Sequence, residues 1–174
     1  EPDRVNNQVM AQEIDYYTTV AALKQNESRA EQDAKQFIEI TENNARVQMM
    51  NFHLAEYYFR KQQFAEAATL YEGADIANLS NREIADLKFH QGYSYFTLQR
   101  FNEAKPLFNA IRLMKDDPNY IDANYYYGFI AFKDRNYTDA LQSFTIVENE
   151  EAYAPIVPYY IAQIYYVQGR KDEA

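Results

Sequence analysis

The stretch Lys88–Ile111, KFHQGYSYFTLQRFNEAKPLFNAI, decides the fold. It reads as two short amphipathic helices separated by a break near Gln99–Asn102. On the first helix the small residue Gly92 lies about one turn before the aromatic Tyr95. On the second, Phe101, Ala104, Phe108 and Ile111 recur at i, i+3, i+7 and i+10, which is one helical stripe.

The same pattern is copied along the chain. The small residue returns as Ala55, Gly92, Gly128 and Ala162, at steps of 37, 36 and 34 residues. The alanine of the second helix returns as Ala67, Ala104, Ala140 and Ala174 at the same steps. Phe64/Ala67/Tyr71/Ala74 and Tyr137/Ala140/Phe144/Val147 repeat the stripe of the opening stretch with identical offsets. A period of about 34 residues, two helices to the unit, marks a helical solenoid. A Gly or Ala facing an Ala lets two helices approach closely, and the rings fill the space on either side.

At these residues the chain resembles the tetratricopeptide-repeat family. That family's pattern has a small residue, a Tyr three positions later, an aromatic opening the second helix, then Ala, an aromatic and a small or aliphatic residue. Here it reads Ala55/Tyr58/Phe64/Ala67/Tyr71/Ala74 and Gly92/Tyr95/Phe101/Ala104/Phe108/Ile111, with Ala131 replacing Tyr in the third copy. The early Trp of the family is replaced by Asn51, Lys88, Asn124 and Pro158. The resemblance implies an all-α fold, a right-handed superhelical α-solenoid of antiparallel helix pairs. Residues 1–46 are then a helix pair, a degenerate repeat or a cap. Residues 47–174 hold the repeats, at about 48–81, 85–118, 121–154 and a partial 155–174.

Taken in order, residues 3–25 read as a first helix with neighbouring stripes at Met10, Ile14, Tyr17, Ala21 and at Val9, Tyr16, Val20, Leu23. Ser28–Glu31 fits a capping box opening a second helix to about Thr41, with Ala30, Ala34, Phe37 and Ile38 inward. Either Ala30 or Ala34 matches Ala67. Asn43-Asn44 breaks the helix. Further helices are expected at 46–61, 64–77, 82–98, 102–114, 120–134, 137–149 and 156–169, with a second capping box at Ser80–Glu83. Pro118 marks a stop and restart, and Pro106 is expected near a helix start, where its missing N–H matters least. The chain opens on Glu1 and stops at Ala174, where a fourth second helix is due; the expectation is a piece of a longer protein.

Composition narrows function. The net charge of −9 argues against nucleic acid, which needs clustered cations, and against an anionic membrane surface. Cysteine is absent, so thiol chemistry is excluded. No apolar run approaches the ~18 residues of a membrane span. There is no Gly-rich phosphate loop and no serine nucleophile elbow. The two histidines, His53 and His90, occupy equivalent places in adjacent repeats. With Glu56 and Asp86 they could offer metal ligands, but a surface or groove role is the expectation, so no metal, cofactor or catalytic residue is predicted. Asn26-Glu-Ser28, Asn78-Leu-Ser80 and Asn136-Tyr-Thr138 match the glycosylation triplet, and two of the three suit helix caps better.

A second stripe runs down each first helix at i, i+4, i+7: Phe52, Glu56, Phe59; then Phe89, Tyr93, Phe96; then Tyr125, Phe129, Phe132; then Tyr159, Gln163, Tyr166. In the resembled family the first helices line the concave surface, which implies an aromatic groove for a protein or peptide partner. Two readings stand: rings packed between adjacent helices as core, or a trough with at least Tyr93 and Phe129 partly exposed. Glu56 and Gln163 at the same position favour exposure there. The family's cationic clamp for a peptide carboxylate is not implied, because the corresponding places hold Phe52, Glu56, His90, Asp122 and Tyr126. The expected function is a non-catalytic interaction scaffold binding a peptide or helix. The alternative is an architectural spacer or self-association segment, a homo-oligomer through the open end. The texture also resembles large repeat proteins of the bacterial cell envelope, which implies an envelope or periplasmic location, with the cytoplasm as the other option.

Overall fold

The computed structural model describes residues 2–77, 79–170 and 172, without the side chains of residues 2–6 and 8. Its described residues form helices and turns: α1 Pro2–Gln25, α2 Ala30–Ile40, α3 Asn44–Arg60, α4 Phe64–Glu72, α5 Asn81–Thr97, α6 Phe101–Ile111, α7 Tyr120–Lys133, α8 Tyr137–Val147 and α9 Val157–Val167. The chain divides into two compact units, 1–94 and 95–174, the division falling inside α5. In unit 1, α1 packs on α2 and α3, α2 on α3, and α3 on α4. In unit 2, α6 packs on α7, α7 on α8, and α8 on α9.

Repeat-defining positions form the core. Ala55, Ala67 and Tyr71 are buried in unit 1, and Ala104, Phe108, Ile111, Ala140, Phe144 and Val147 are fully buried in unit 2. Gly128 shows why a small residue is needed: a Cβ there would come within 3.0 Å of the Phe144 ring and 3.1 Å of Ser143 Cβ. Its nearest neighbours are thus Phe144 and Ser143 of α8. Ala162 is only half-buried, and Ala174 lies outside the described residues.

One device ends α1, α3, α5, α7 and α9. Asn26, Gln62, Gln99, Arg135 and Gly169 all take left-handed backbone, with φ of 56°, 59°, 59°, 61° and 77°. Each donates its N–H to the carbonyl three back, and the next residue donates to the carbonyl five back, as in Gln62 to Phe59 and Gln63 to Tyr58, both at 2.9 Å. Gln99/Arg100 bond to Phe96/Tyr95, and Arg135/Asn136 to Phe132/Ala131, in the same way. This is the helix-ending motif that satisfies the last carbonyls and reverses the chain. Asn26 shows it in the N-terminal pair too, bonding to Leu23 while Glu27 bonds to Ala22.

Several local expectations are corrected. The Ser28–Glu31 capping box does not form. Arg29 is the N-cap without a side-chain bond, because Glu31 instead accepts from Lys35 at 2.7 Å and from the Tyr58 hydroxyl at 2.8 Å. Ala30 and Ala34 are both buried, as Ala67 is, and, counted from its left-handed residue, the turn before α2 is two residues longer than the turn before α4. The helix expected at 64–77 stops at Glu72, capped by Gly73. Pro106 sits inside α6, in its second turn, where it removes a ladder donor on an exposed face. On α1 Tyr16, Val20 and Leu23 are buried, with Thr19 and Ala22 beside them; Met10, Ile14 and Tyr17 are exposed, as is Val9. The Ser80–Glu83 box does form: Ser80 N–H donates to Glu83 Oε2 at 2.9 Å and Glu83 N–H to Ser80 Oγ at 3.3 Å. Asn136 caps α8 by accepting from Asp139 N–H, and Asn78 lies outside the described residues.

Candidate functional site

In unit 1 the second stripe of α3 and the part of α5 before Tyr95 supply Phe52, Glu56, Phe59, Phe89 and Tyr93. Phe52 and Phe89 are buried; Phe59 and Tyr93 are half-buried, with their rings edge to face at 5.8 Å. Glu56 is no exposed groove acid. Its Oε1 accepts from the Tyr71 hydroxyl at 2.5 Å and lies 2.8 Å from His90 Nδ1, and the His90 ring stacks on Phe59 at 4.1 Å. Burial pushes the Glu56 carboxyl up, but His90 and the Tyr71 bond outweigh it and hold the group below the usual carboxylate range. Burial, reinforced by Glu56, drives the Tyr71 hydroxyl well above its ordinary value. Nearby, His53 lines a cleft of about 190 Å³ with Lys24, Arg60 and Glu83 among its walls. Burial, then Lys24, lowers His53 to about 4, so its ring is neutral at physiological pH.

In unit 2 the stripe comprises Phe96, Tyr125, Phe129, Phe132, Tyr159, Gln163 and Tyr166. Phe96, Tyr125, Phe129, Phe132 and Gln163 are half-buried, while Tyr159 and Tyr166 are 63% and 64% exposed. Phe129 meets Phe96 at 5.4 Å and Tyr160 at 5.9 Å. Tyr125 stacks on Tyr153 at 4.2 Å, and the Tyr153 hydroxyl donates to Asp122 at 2.5 Å.

A ring position missed in the sequence joins each helix pair to the one before it. It is held by His53, His90, Tyr126 and Tyr160, each one residue after the first ring of a triplet. His53 approaches Tyr16 of α1 at 6.2 Å and His90 stacks on Phe59 of α3. Tyr126 stacks on Phe108 at 5.2 Å, and Tyr160 stacks on Phe144 at 5.4 Å. The signal was present, since these residues recur at steps of 37, 36 and 34. For the two histidines the expectation from sequence is a surface or groove role rather than this joint. Among the described residues no group of three or more His, Asp or Glu side chains could hold a metal ion.

The family model for the tetratricopeptide repeat matches residues 89–155, spanning the opening stretch and the pair after it. Residues 89–155 therefore carry tetratricopeptide repeats. Solved structures share its fold at low identity. MamA (AMB-1) aligns with a TM-score of 0.69 and 20% identity, over 95% of this chain and 86% of that one. YrrB, a TPR protein with an unusual peptide-binding site, aligns with a TM-score of 0.68 and 19% identity, over 91% of this chain and 78% of its own. A mutant of MamA aligns at 0.67 and 20% identity, over 96% and 93%. No curated protein matches at a significant level. The fold is therefore of the all-α solenoid type that the repeated stripe predicts. None of its described helices is long and apolar enough to cross a membrane.

Proposed function

We propose that this protein is a non-catalytic protein-interaction scaffold whose first-helix faces take an extended peptide or a helix from a protein partner. Its repeats run at about 48–81, 85–118, 121–154 and from 155 onward, with residues 1–46 as an N-terminal repeat-like pair. The observation that carries the reading is a contrast within the ring stripes. The leading rings of unit 1, Phe52 and Phe89, are buried, whereas the middle rings Tyr93 and Phe129, like the leading Tyr125 and Tyr159, keep part of their surface outside. Half-exposed rings, one a tyrosine and one a phenylalanine, suit a surface that is apolar in bulk and polar at some of its tips. YrrB, sharing the fold, has a peptide-binding site, which supports the same class of ligand here.

The test is selection of displayed random peptides on the intact chain, followed by Tyr93→Ala and Phe129→Ala variants, singly and together. Selected peptides should lose at least tenfold in affinity in the double variant while its melting temperature stays close to that of the parent. Failure to select any peptide, or gross unfolding of both single variants, would overturn the reading in favour of rings that serve only as core. The second reading, a spacer or self-association segment, draws support from the exposed Met10, Ile14 and Tyr17 stripe on α1. A light-scattering mass of one chain would count against it.

A further inference from the structure

Unit 1 has a second groove, on another part of its surface. It opens between α2 and α4, with α3 as its floor. Leu54 and Tyr58 form the base and are buried, at 1% and 4% exposure. Ile38 of α2 and Leu70 of α4 form the apolar walls and are half-buried. The groove encloses about 420 Å³, within the ~300–1,000 Å³ typical of ligand-binding clefts. At about 3.6 residues per turn, Leu54 and Tyr58 lie on a different face of α3 from Phe52, Glu56 and Phe59. An occupant here would leave the ring stripe of α3 untouched.

The rim decides what the groove accepts. It carries Lys35 and Glu39 on α2 and Glu66 on α4. Lys35 is already committed, donating to Glu31 at 2.7 Å, and that bond holds its ammonium charged well above the usual lysine range. Glu31 is committed in turn, to Lys35 and to the Tyr58 hydroxyl. Glu39 and Glu66 are exposed and make no hydrogen bond or ion pair with the described residues. The charge left over at the rim is therefore negative, one carboxylate on each wall, in a chain of net charge −9. An apolar slot between two uncommitted carboxylates is complementary to an aliphatic side chain with a cation on either side.

We propose that the α2–α4 groove docks a partner segment in which a Leu, Ile or Met side chain is flanked on both sides by Lys or Arg. The aliphatic side chain enters between Ile38 and Leu70, over Leu54, and the flanking cations meet Glu39 and Glu66. Such a site would hold a basic partner segment independently of any peptide bound on the first-helix faces.

The test uses the full chain, isotopically labelled for NMR, and the capped peptide Lys-Lys-Leu-Lys-Lys as probe. Amide shifts should cluster around Ile38, Leu54 and Leu70, and the affinity should fall at least tenfold in Glu39→Lys/Glu66→Lys, whose exposed positions leave folding intact. That variant should instead gain affinity for Glu-Glu-Leu-Glu-Glu. Leu70→Ser should weaken the original probe by a similar factor. Equal binding of Lys-Lys-Ser-Lys-Lys would reduce the site to diffuse charge attraction and overturn the proposal. So would shifts centred elsewhere, indifference to the charge reversal, or no binding at all.

Discussion

Units 1 and 2 use the same repeat position in chemically different ways. After the first ring of each triplet, unit 1 places His53 and His90 and unit 2 places Tyr126 and Tyr160. In each case the ring reaches back to the preceding helix pair. His90 stacks on Phe59 while bonding to Glu56; Tyr160 lies nearly parallel to Phe144, at an interplanar angle of 12°. His90, Tyr126 and Tyr160 each place a flat ring at stacking distance, so imidazole and phenol both meet that geometry, while His53 lies tilted against Tyr16 at 6.2 Å. The two ring types differ in what else they do. In unit 1, His53 brings a depressed imidazole pKa into its joint, and His90 brings a carboxylate partner, Glu56. The tyrosines of unit 2 make a joint of stacked rings, Tyr126 on Phe108 and Tyr160 on Phe144.

The largest effect should come from breaking the ring joint. Phe144 is fully buried, stacks on Tyr160 and closes over Gly128. Phe144→Ala should cost about 3–5 kcal/mol in unfolding free energy by denaturant titration. A loss under about 1 kcal/mol would mean the joint does not hold unit 2 together.

The acid response should be nearly as large and confined to unit 1. His53 is lowered from 6.5 to about 4 in the folded chain. Below pH 6.5 the unfolded chain takes up a proton that the folded chain refuses until about pH 4, so stability falls as pH drops through that window. At about 1.4 kcal/mol per unit the loss is about 3 kcal/mol. Glu56, also lowered, adds a further loss below the ordinary carboxylate value of 4.5. His53→Tyr, which makes unit 1 imitate unit 2, should flatten the response between pH 6.5 and 4. An unchanged pH profile would show that the imidazole is not the titrating group.

The smallest effect tests what the units share. Gln62, Gln99 and Arg135 hold left-handed backbone without being glycine. That conformation strains an L-residue by about 1–2 kcal/mol, while glycine loses more chain entropy on folding. Gln99→Gly in unit 2 and Gln62→Gly in unit 1 should each raise stability by up to about 1 kcal/mol, and by similar amounts. A gain in only one would show that the two turns are not equivalent.

The helix pairs were legible in the sequence because one volume pattern, a small residue against an Ala with rings beside it, recurs in phase from Ala55 to Val147. The turns were not legible. Glycine and asparagine advertise left-handed backbone at Gly169 and Asn26, but Gln62, Gln99 and Arg135 do not, and there the hydrogen bonds back to the preceding helix impose it. The Ser28 box failed because its carboxylate had better partners, one of them Tyr58, 27 residues away. Glu56 looked like an exposed acid because the groups that hold it, Tyr71 and His90, lie 15 and 34 residues on. A spacing of about one repeat was the available clue. Partial exposure of Tyr93 and Phe129 could not be read from a stripe, since a core ring and a groove ring share the same periodicity.

The availability of those two rings is tested most directly by hydroxyl-radical footprinting of the intact chain, read residue by residue by mass spectrometry. Tyr93 and Phe129 should be modified at rates between those of exposed Tyr159 and Tyr166 and those of buried Phe108 and Phe144. Rates for Tyr93 and Phe129 as low as that of Phe144 would contradict an open first-helix face.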